Sequence, residues 1–87
     1  MNSATKLLDA MRSNPRDWQI EQLHTIARQH DMKVRSIGGS HQVFAHALIA
    51  EKLSVPAHRP IKPVYIRQFV VLVDKIKTAQ AEKEAEK

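Results

Sequence analysis

Apolar residues in the first third of the chain recur every three or four positions, which is the spacing of an amphipathic helix. A first helix is predicted from four such residues, Ala4, Leu7, Leu8 and Met11. It should stop before Pro15, because the residue that precedes a proline is pushed out of the helical region. A second helix carries the apolar stripe Ile20, Leu23, Ile26 and Ala27. It is predicted to start either at Pro15, a favoured first helical residue, or nearer Ile20.

The periodicity changes at Met32, where apolar and polar residues begin to alternate. This alternation predicts three short strands, over residues 32–37, 41–46 and 53–56. The first two strands are joined by a turn that contains both glycines of the chain. The connection over residues 47–51 lacks Gly, Asn and Pro, so it is interpreted as a turn, a short helical turn or an exposed apolar lip.

A third helix is predicted to begin at Pro63. Its apolar face contains Ile66, Phe69, Val70, Val73 and Ile76. Beyond Thr78 the apolar stripe ends, so residues 78–87 are expected to form a charged, frayed or disordered tail, and residues 1–77 a single domain. Three strands flanked by helices predict an α+β fold, in which a three-stranded antiparallel sheet is covered on one face by helices.

Strand parity predicts which residues of the second strand face the open side of this sheet. If Phe44 points towards the helices, Gln42 and His46 point the same way. His41, Val43 and Ala45 then face outwards. Trp18 and His46 are interpreted as packing residues, and His24 and His30 lack the partners that a metal site would need.

The net charge of +5 comes entirely from the middle of the chain. Residues 33–67 carry six basic side chains against Glu51 alone, whereas the segments on either side are neutral. Such clustering predicts a surface that binds a polyanion such as RNA. The absence of cysteine and of a long apolar run favours a cytoplasmic protein that neither is secreted nor enters a membrane.

The run Gly38-Gly39-Ser40-His41 is the candidate for chemistry. The glycines are able to adopt positive φ, and their N–H groups are potential donors to a phosphate. The imidazole that follows is a side chain suited to accept a proton at neutral pH. By itself this pattern more often indicates only a hairpin turn followed by a surface histidine.

Three longer runs carry a resemblance to a known family: WQIEQLHTIARQHDMKVRSI, GGSHQVF and LSVPAHRPIKPVYIRQF. Together they resemble the HicA family of type II toxin-antitoxin toxins, which are small ribonucleases also called mRNA interferases, over roughly residues 18–77. The ordered combination of G-S-H-x-x-F, V-P-x-H and a helix-opening proline carries the likeness. The apolar connection over residues 47–50, the charged tail and Asp31, where glycine often closes the preceding helix, depart from the family pattern.

The resemblance implies a double-stranded-RNA-binding-domain-like fold and an endoribonuclease that cleaves mRNA without ribosome, metal or cofactor. It also implies that His41 is the catalytic residue and that a HicB-type antitoxin masks the site. The toxin alone is not expected to contact DNA. RNA supplies its own nucleophile, the 2′-hydroxyl, so one general base and a few cations suffice for the chemistry.

The supporting RNA contacts are predicted on both sides of the turn. They are Lys33, Arg35, the backbone of Gly38, Gly39 and Ser40, then His58, Lys62 and Arg67. Each of the cations is equally typical of a solvated surface. His58 is a candidate general acid or substrate contact, although a loop histidine beside Arg59 is more often simply exposed. Tyr65 is a candidate to stack on a base, although a single aromatic residue on an amphipathic helix is more often part of the core.

Two other functions stay open at this point. The same basic surface would serve a non-catalytic module that grips double-stranded RNA by shape. Alternatively, Val43, Leu48 and Ile49 would form an exposed apolar patch of a protein-interaction subunit.

Overall fold

The predicted order of elements is confirmed by a computed structural model, which describes residues 3–57 and 60–85. Helices α1 (Ser3–Ser13) and α2 (Ile20–Gln29) come first. Strands β1 (Lys33–Ile37), β2 (His41–Ala45) and β3 (Leu53–Pro56) follow, and helix α3 (Pro63–Ala85) ends the described part of the chain. The fold is therefore α+β.

The three strands form one antiparallel sheet with β2 in the centre. Phe44 of β2 lies between Val34 of β1 and Leu53 of β3 in the register, and His41 pairs with Ile37 and Pro56. Because neighbours in register share a face, this pairing fixes the composition of both faces.

Helices cover the face of the sheet that carries Phe44. The Phe44 ring makes an edge-to-face contact with Phe69 of α3, with ring centroids 5.2 Å apart, and a tilted contact with His24 of α2 at 5.9 Å. Phe44, Val55 and Phe69 are fully buried in one core that also includes residues of α1 and α2. The opposite face of the sheet is open, as the strand parity predicts.

Helix α2 begins at Ile20, the later of the two predicted starts, and is followed by a residue with unusual backbone angles. Asp31 follows the helix with a φ of 56°, in the left-handed region that glycine usually occupies. The Met32 N–H donates to the Ala27 carbonyl at 2.9 Å, and both residues are buried. This hydrogen bond and apolar contact are those of a Schellman helix end, so Asp31 replaces the expected glycine without loss of the motif.

Helix α3 begins at Pro63 as predicted but does not end near Thr78. It continues to Ala85, so the expectation of a frayed or disordered tail is corrected over residues 78–85. The segment has no buried residue, in keeping with its missing apolar stripe. It is rich in Ala, Glu, Lys and Gln, whose high helix propensity favours continuation of the helix without tertiary packing. Residues 86–87 lie outside the described part.

The connection between β2 and β3 is a turn, one of its three predicted forms. The Ile49 N–H donates to the His46 carbonyl at 3.3 Å, and the Leu48 N–H donates to His46 Nδ1 at 3.0 Å. The half-buried His46 therefore stabilises the turn by accepting hydrogen bonds from two of its N–H groups. Ile49 packs against the core and Val43 is half-buried, so only Leu48 of the predicted apolar patch is exposed.

None of the helices in the described part of the chain combines the length and the apolar character needed to cross a lipid bilayer.

Candidate active site

The turn between β1 and β2 needs glycine at two positions for its backbone angles. Gly38 has a φ of 63° and Gly39 a φ of 74°. A Cβ added at either position would meet no atom within 4 Å, so space is not the constraint. The constraint is the positive φ, which costs an L-residue energy and glycine very little. The pair therefore produces a tight bend directly before His41.

His41 is the first residue of β2 and is exposed on the open face of the sheet. Its position three residues before the buried Phe44 sends its side chain to the opposite face. Two local contacts fix its surroundings. His41 Nδ1 lies 3.2 Å from the Ser40 hydroxyl, and the Ala57 N–H donates to the Ser40 carbonyl at 2.8 Å, which ties the bend to the end of β3.

His41 lines an open-sided cavity of about 270 Å³. The other described residues around it are Pro56, Pro60, Lys62 and Tyr65. The cavity thus joins the end of the sheet to the start of α3.

The segment before α3 is anchored, which places Lys62 in the wall of the cavity that His41 also lines. Ile61 is buried and its N–H donates to the Trp18 carbonyl at 2.8 Å. Trp18 is itself partly buried against the core, and its indole N–H donates to the Asn14 carbonyl at 2.6 Å. Lys62 therefore follows a fixed residue and precedes the first residue of α3, Pro63. The packing role predicted for Trp18 is confirmed.

The open face of the sheet carries two of the predicted RNA contacts beside His41. Arg35 pairs with Val43 and Lys33 with Ala45, so both basic residues share the face of His41. At about 3.4 Å per residue they stand about 7 and 14 Å along the strands from the Ile37–His41 pair. With Lys52, which was not among the predicted contacts, they line a groove of about 440 Å³.

Arg67 is not brought to this site. It lines a different groove, between α3 and β3, together with Glu51 and Lys75, which form an ion pair at 3.2 Å. The two grooves share Lys52 at their border. His58 lies outside the described residues, so its role stays a prediction.

The groups with shifted pKa values lie away from His41. Burial and the nearby Lys77 lower the pKa of His30 at the end of α2. The Arg12 guanidinium, hydrogen-bonded to Asp74, holds the pKa of that carboxyl below its ordinary value. These shifts concern the packing of the helices. Within residues 3–57 and 60–85 no three histidine, aspartate or glutamate side chains stand close enough together to hold a metal ion.

The residue pattern did not single out the walls of the His41 cavity. The pattern places Pro56 at the end of the third strand, assigns no role to Pro60 and favours a core position for Tyr65. Tyr65 does pack partly against the core, yet it also lines the cavity. The signal that was available is its position three residues after Lys62, at the start of a helix whose N-terminus is near the bend.

Comparison with known proteins adds no family to this description: no protein-family model, no curated protein and no solved structure matches the chain.

Proposed function

We propose that this protein is an endoribonuclease of the HicA type, with a double-stranded-RNA-binding-domain-like fold, and that His41 is its general base. The observation that carries the proposal is the exposed His41 imidazole, which directly follows a bend made by two glycines. Lys62 lines the same cavity, and the basic residues Lys33 and Arg35 lie on the same face of the sheet. These are the parts that RNA cleavage requires: a base, cations for the phosphate and access for a flexible chain.

The proposed reaction uses the nucleophile that RNA contains. His41 Nε2 takes the proton of a ribose 2′-hydroxyl, and the 2′-oxygen forms a bond to the adjacent phosphorus. The bond from phosphorus to the 5′-oxygen breaks, and that oxygen leaves with a proton from water. The hydroxide that remains accepts the proton held by His41, which restores the base. The products are a 2′,3′-cyclic phosphate and a 5′-hydroxyl end.

The contact with Ser40 is compatible with this assignment of the ring nitrogens. If Nδ1 carries the proton and donates to the Ser40 hydroxyl at 3.2 Å, Nε2 is left with the lone pair that a general base needs. Lys62 and the N–H groups of Gly38 and Gly39 would stabilise the negative charge that develops on the phosphorane. Lys33 and Arg35 would hold the flanking phosphates, while Arg67 would serve only an RNA long enough to pass the edge of β3.

The proposed substrate is mRNA in the cytoplasm, cleaved without a metal or the ribosome. A HicB-type antitoxin that covers His41 and the open sheet face would neutralise the activity. The exposure of His41, Arg35 and Ile37 on one face supports the proposal, because a partner could cover catalytic and binding residues in a single contact.

The test is cleavage of single-stranded RNA by purified His41→Ala protein, with a chelator present. We expect the rate to fall about 10²- to 10⁴-fold, the usual contribution of a general base, and growth inhibition on expression to be lost. His30→Ala is the matched control, since it removes an imidazole near Lys77 and leaves the His41 cavity untouched. Far-UV circular dichroism checks that each variant is folded.

Two results would contradict the proposal. Cleavage by His41→Ala at the wild-type rate would remove His41 from the mechanism. RNA binding by the wild-type protein without any cleavage would favour the second candidate, a non-catalytic module that binds double-stranded RNA through the open basic face.

A further inference from the structure

Tyr65 has two environments. It is half-buried, because part of its side chain packs against the core next to the fully buried Ile66. The remainder lines the same cavity as His41 and Lys62. A helical residue one position before a buried one stands about 100° around the helix from it, at the margin of the core. The Tyr65 side chain is therefore shared between the core and the cavity.

The other described walls of the cavity, Pro56 and Pro60, are apolar. Pro56 and Pro60 add ring carbons and no N–H donor. The volume of about 270 Å³ lies just under the range of about 300–1,000 Å³ typical of sites for drug-sized ligands. A space of this size, with an aromatic ring and two prolines around it and one cation at its rim, suits a single planar ring attached to an anionic group.

We propose that the cavity binds the base of one unpaired nucleotide, next to the phosphate on which His41 acts, and that Tyr65 is the residue on which this base stacks. RNA as the ligand rests on the proposed function. Aromatic side chains are the usual stacking partners of bases in single-stranded RNA. Lys62 is placed to contact the phosphate of the same nucleotide while the base occupies the cavity.

This site defines the class of substrate. A base within a duplex is paired and stacked on its neighbours, so it reaches a side cavity only if it is first extruded. Tyr65 therefore selects single-stranded RNA, loops or bulges over continuous duplex. The selection does not depend on hydrogen bonds to base edges, so it tolerates different bases.

Tyr65 is the only tyrosine of the chain, which gives a direct spectroscopic test. Protein labelled with 3-fluorotyrosine shows one ¹⁹F resonance. The probe is a short 2′-O-methyl RNA of mixed sequence, which lacks the nucleophile and is not cleaved. We expect the single strand to shift the ¹⁹F resonance, because the base stacks on the ring, and the same sequence as a blunt duplex to leave it nearly unchanged.

Variants at Tyr65 test how much the aromatic ring contributes to RNA affinity. We expect Tyr65→Leu to bind the single-stranded probe about 5- to 150-fold more weakly, the range measured when a base-stacking aromatic residue is removed. Tyr65→Phe keeps the ring and should bind like the wild type. Val64→Ala is the matched control, because Val64 is the adjacent residue of α3 and is 48% exposed.

The proposal is overturned if Tyr65→Leu binds the probe as tightly as the wild type, or if duplex shifts the ¹⁹F resonance as strongly as single strand. Should Tyr65→Leu fail to fold, the ¹⁹F resonance decides the question, because it is measured on protein that keeps the aromatic ring. Failure of this site and failure of the proposed function are distinguishable. If cleavage depends on His41 but Tyr65 has no role, the base site alone is refuted. If binding depends on Tyr65 but no cleavage occurs, the catalytic function alone is refuted. If the wild-type protein does not bind RNA, both are refuted.

Discussion

The bend before His41 shows how much a single backbone angle contributes to a site. Gly38 and Gly39 both have positive φ, while their missing Cβ atoms leave only open space. Their function in the fold is therefore conformational. If their N–H groups also donate to a phosphate, they would do so in the same backbone conformation, with no additional conformational free energy.

Because positive φ, and not lack of space, requires glycine in the bend, a substitution at Gly39 has a predictable effect on stability. We expect Gly39→Ala to lower the free energy of unfolding by about 1–2 kcal/mol, the cost of a left-handed conformation for an L-residue. Gly39→Asn should cost less, because asparagine tolerates this region through local hydrogen bonds. Urea denaturation of the two variants and the wild type measures the order of their free energies of unfolding. Equal stability of all three would show that the bend relaxes to another conformation and that positive φ is not required.

At the scale of elements, α3 links the parts of the molecule. Its first turn lies at the His41 cavity, its middle is buried against β3 and α1, and its last residues extend beyond the core. Arg12 of α1 meets Asp74 of α3 in a two-bond contact with distances of 2.7 and 2.9 Å. Both side chains are still 49% and 41% exposed, so water screens their attraction.

We predict a coupling energy of about 0.2–1 kcal/mol between Arg12 and Asp74 from a double-mutant cycle with alanine. The sign of its pH dependence follows from the lowered pKa of Asp74. The unfolded chain binds a proton more readily than the folded one, so the stabilisation is present above the ordinary aspartate range and is lost as pH falls through the lowered pKa. Thermal unfolding between neutral and acidic pH measures it.

The Glu51–Lys75 pair is the matched control for this cycle. It makes one contact at 3.2 Å between side chains that are 54% and 51% exposed, so its coupling should be smaller. A larger coupling for Glu51–Lys75 than for Arg12–Asp74, or a coupling that persists in strong acid, would contradict the prediction.

At the scale of the whole molecule, the structure separates a helical layer from an open basic face. The molecule extends 42 Å along its longest axis, largely because the 23 residues of α3 span about 35 Å. Lys33 and Arg35 share the face of His41, so the excess charge of the central segment is partly focused where RNA is proposed to bind.

The salt dependence of RNA affinity tests whether the basic residues of the open face contact the RNA. For single-stranded RNA the logarithm of the affinity should fall with the logarithm of the salt concentration, with a slope of about −0.7 for each neutralised phosphate. We expect Arg35→Gln to reduce the steepness by about 0.7 and Lys6→Gln, an equal change of charge at an exposed residue of α1, to leave it unaltered. Fluorescence anisotropy over a salt series measures the slopes. The same slope for both variants as for the wild type would place the RNA elsewhere.

Local patterns predicted the elements because each pattern has a local physical cause. The prolines at 15 and 63 restrict backbone angles, the apolar stripes of α2 and α3 require a core, and the two glycines allow a bend. The parity argument from Phe44 was also sufficient to place His41 on the open face, since alternation is a fixed property of a strand. The extension of α3 to Ala85 was missed because helix propensity alone, without an apolar stripe, maintains the last turns.

The sequence by itself determined the α+β order, the antiparallel sheet, the bend and the exposure of His41, because these depend on neighbours along the chain. Only the tertiary structure decided which distant residues join His41. Lys62 and Tyr65 reach it because Ile61 pairs with Trp18, whereas Arg67, two residues after Tyr65, lies in another groove. Helical rotation and long-range packing set these positions, and neither is visible in the spacing of residues along the chain.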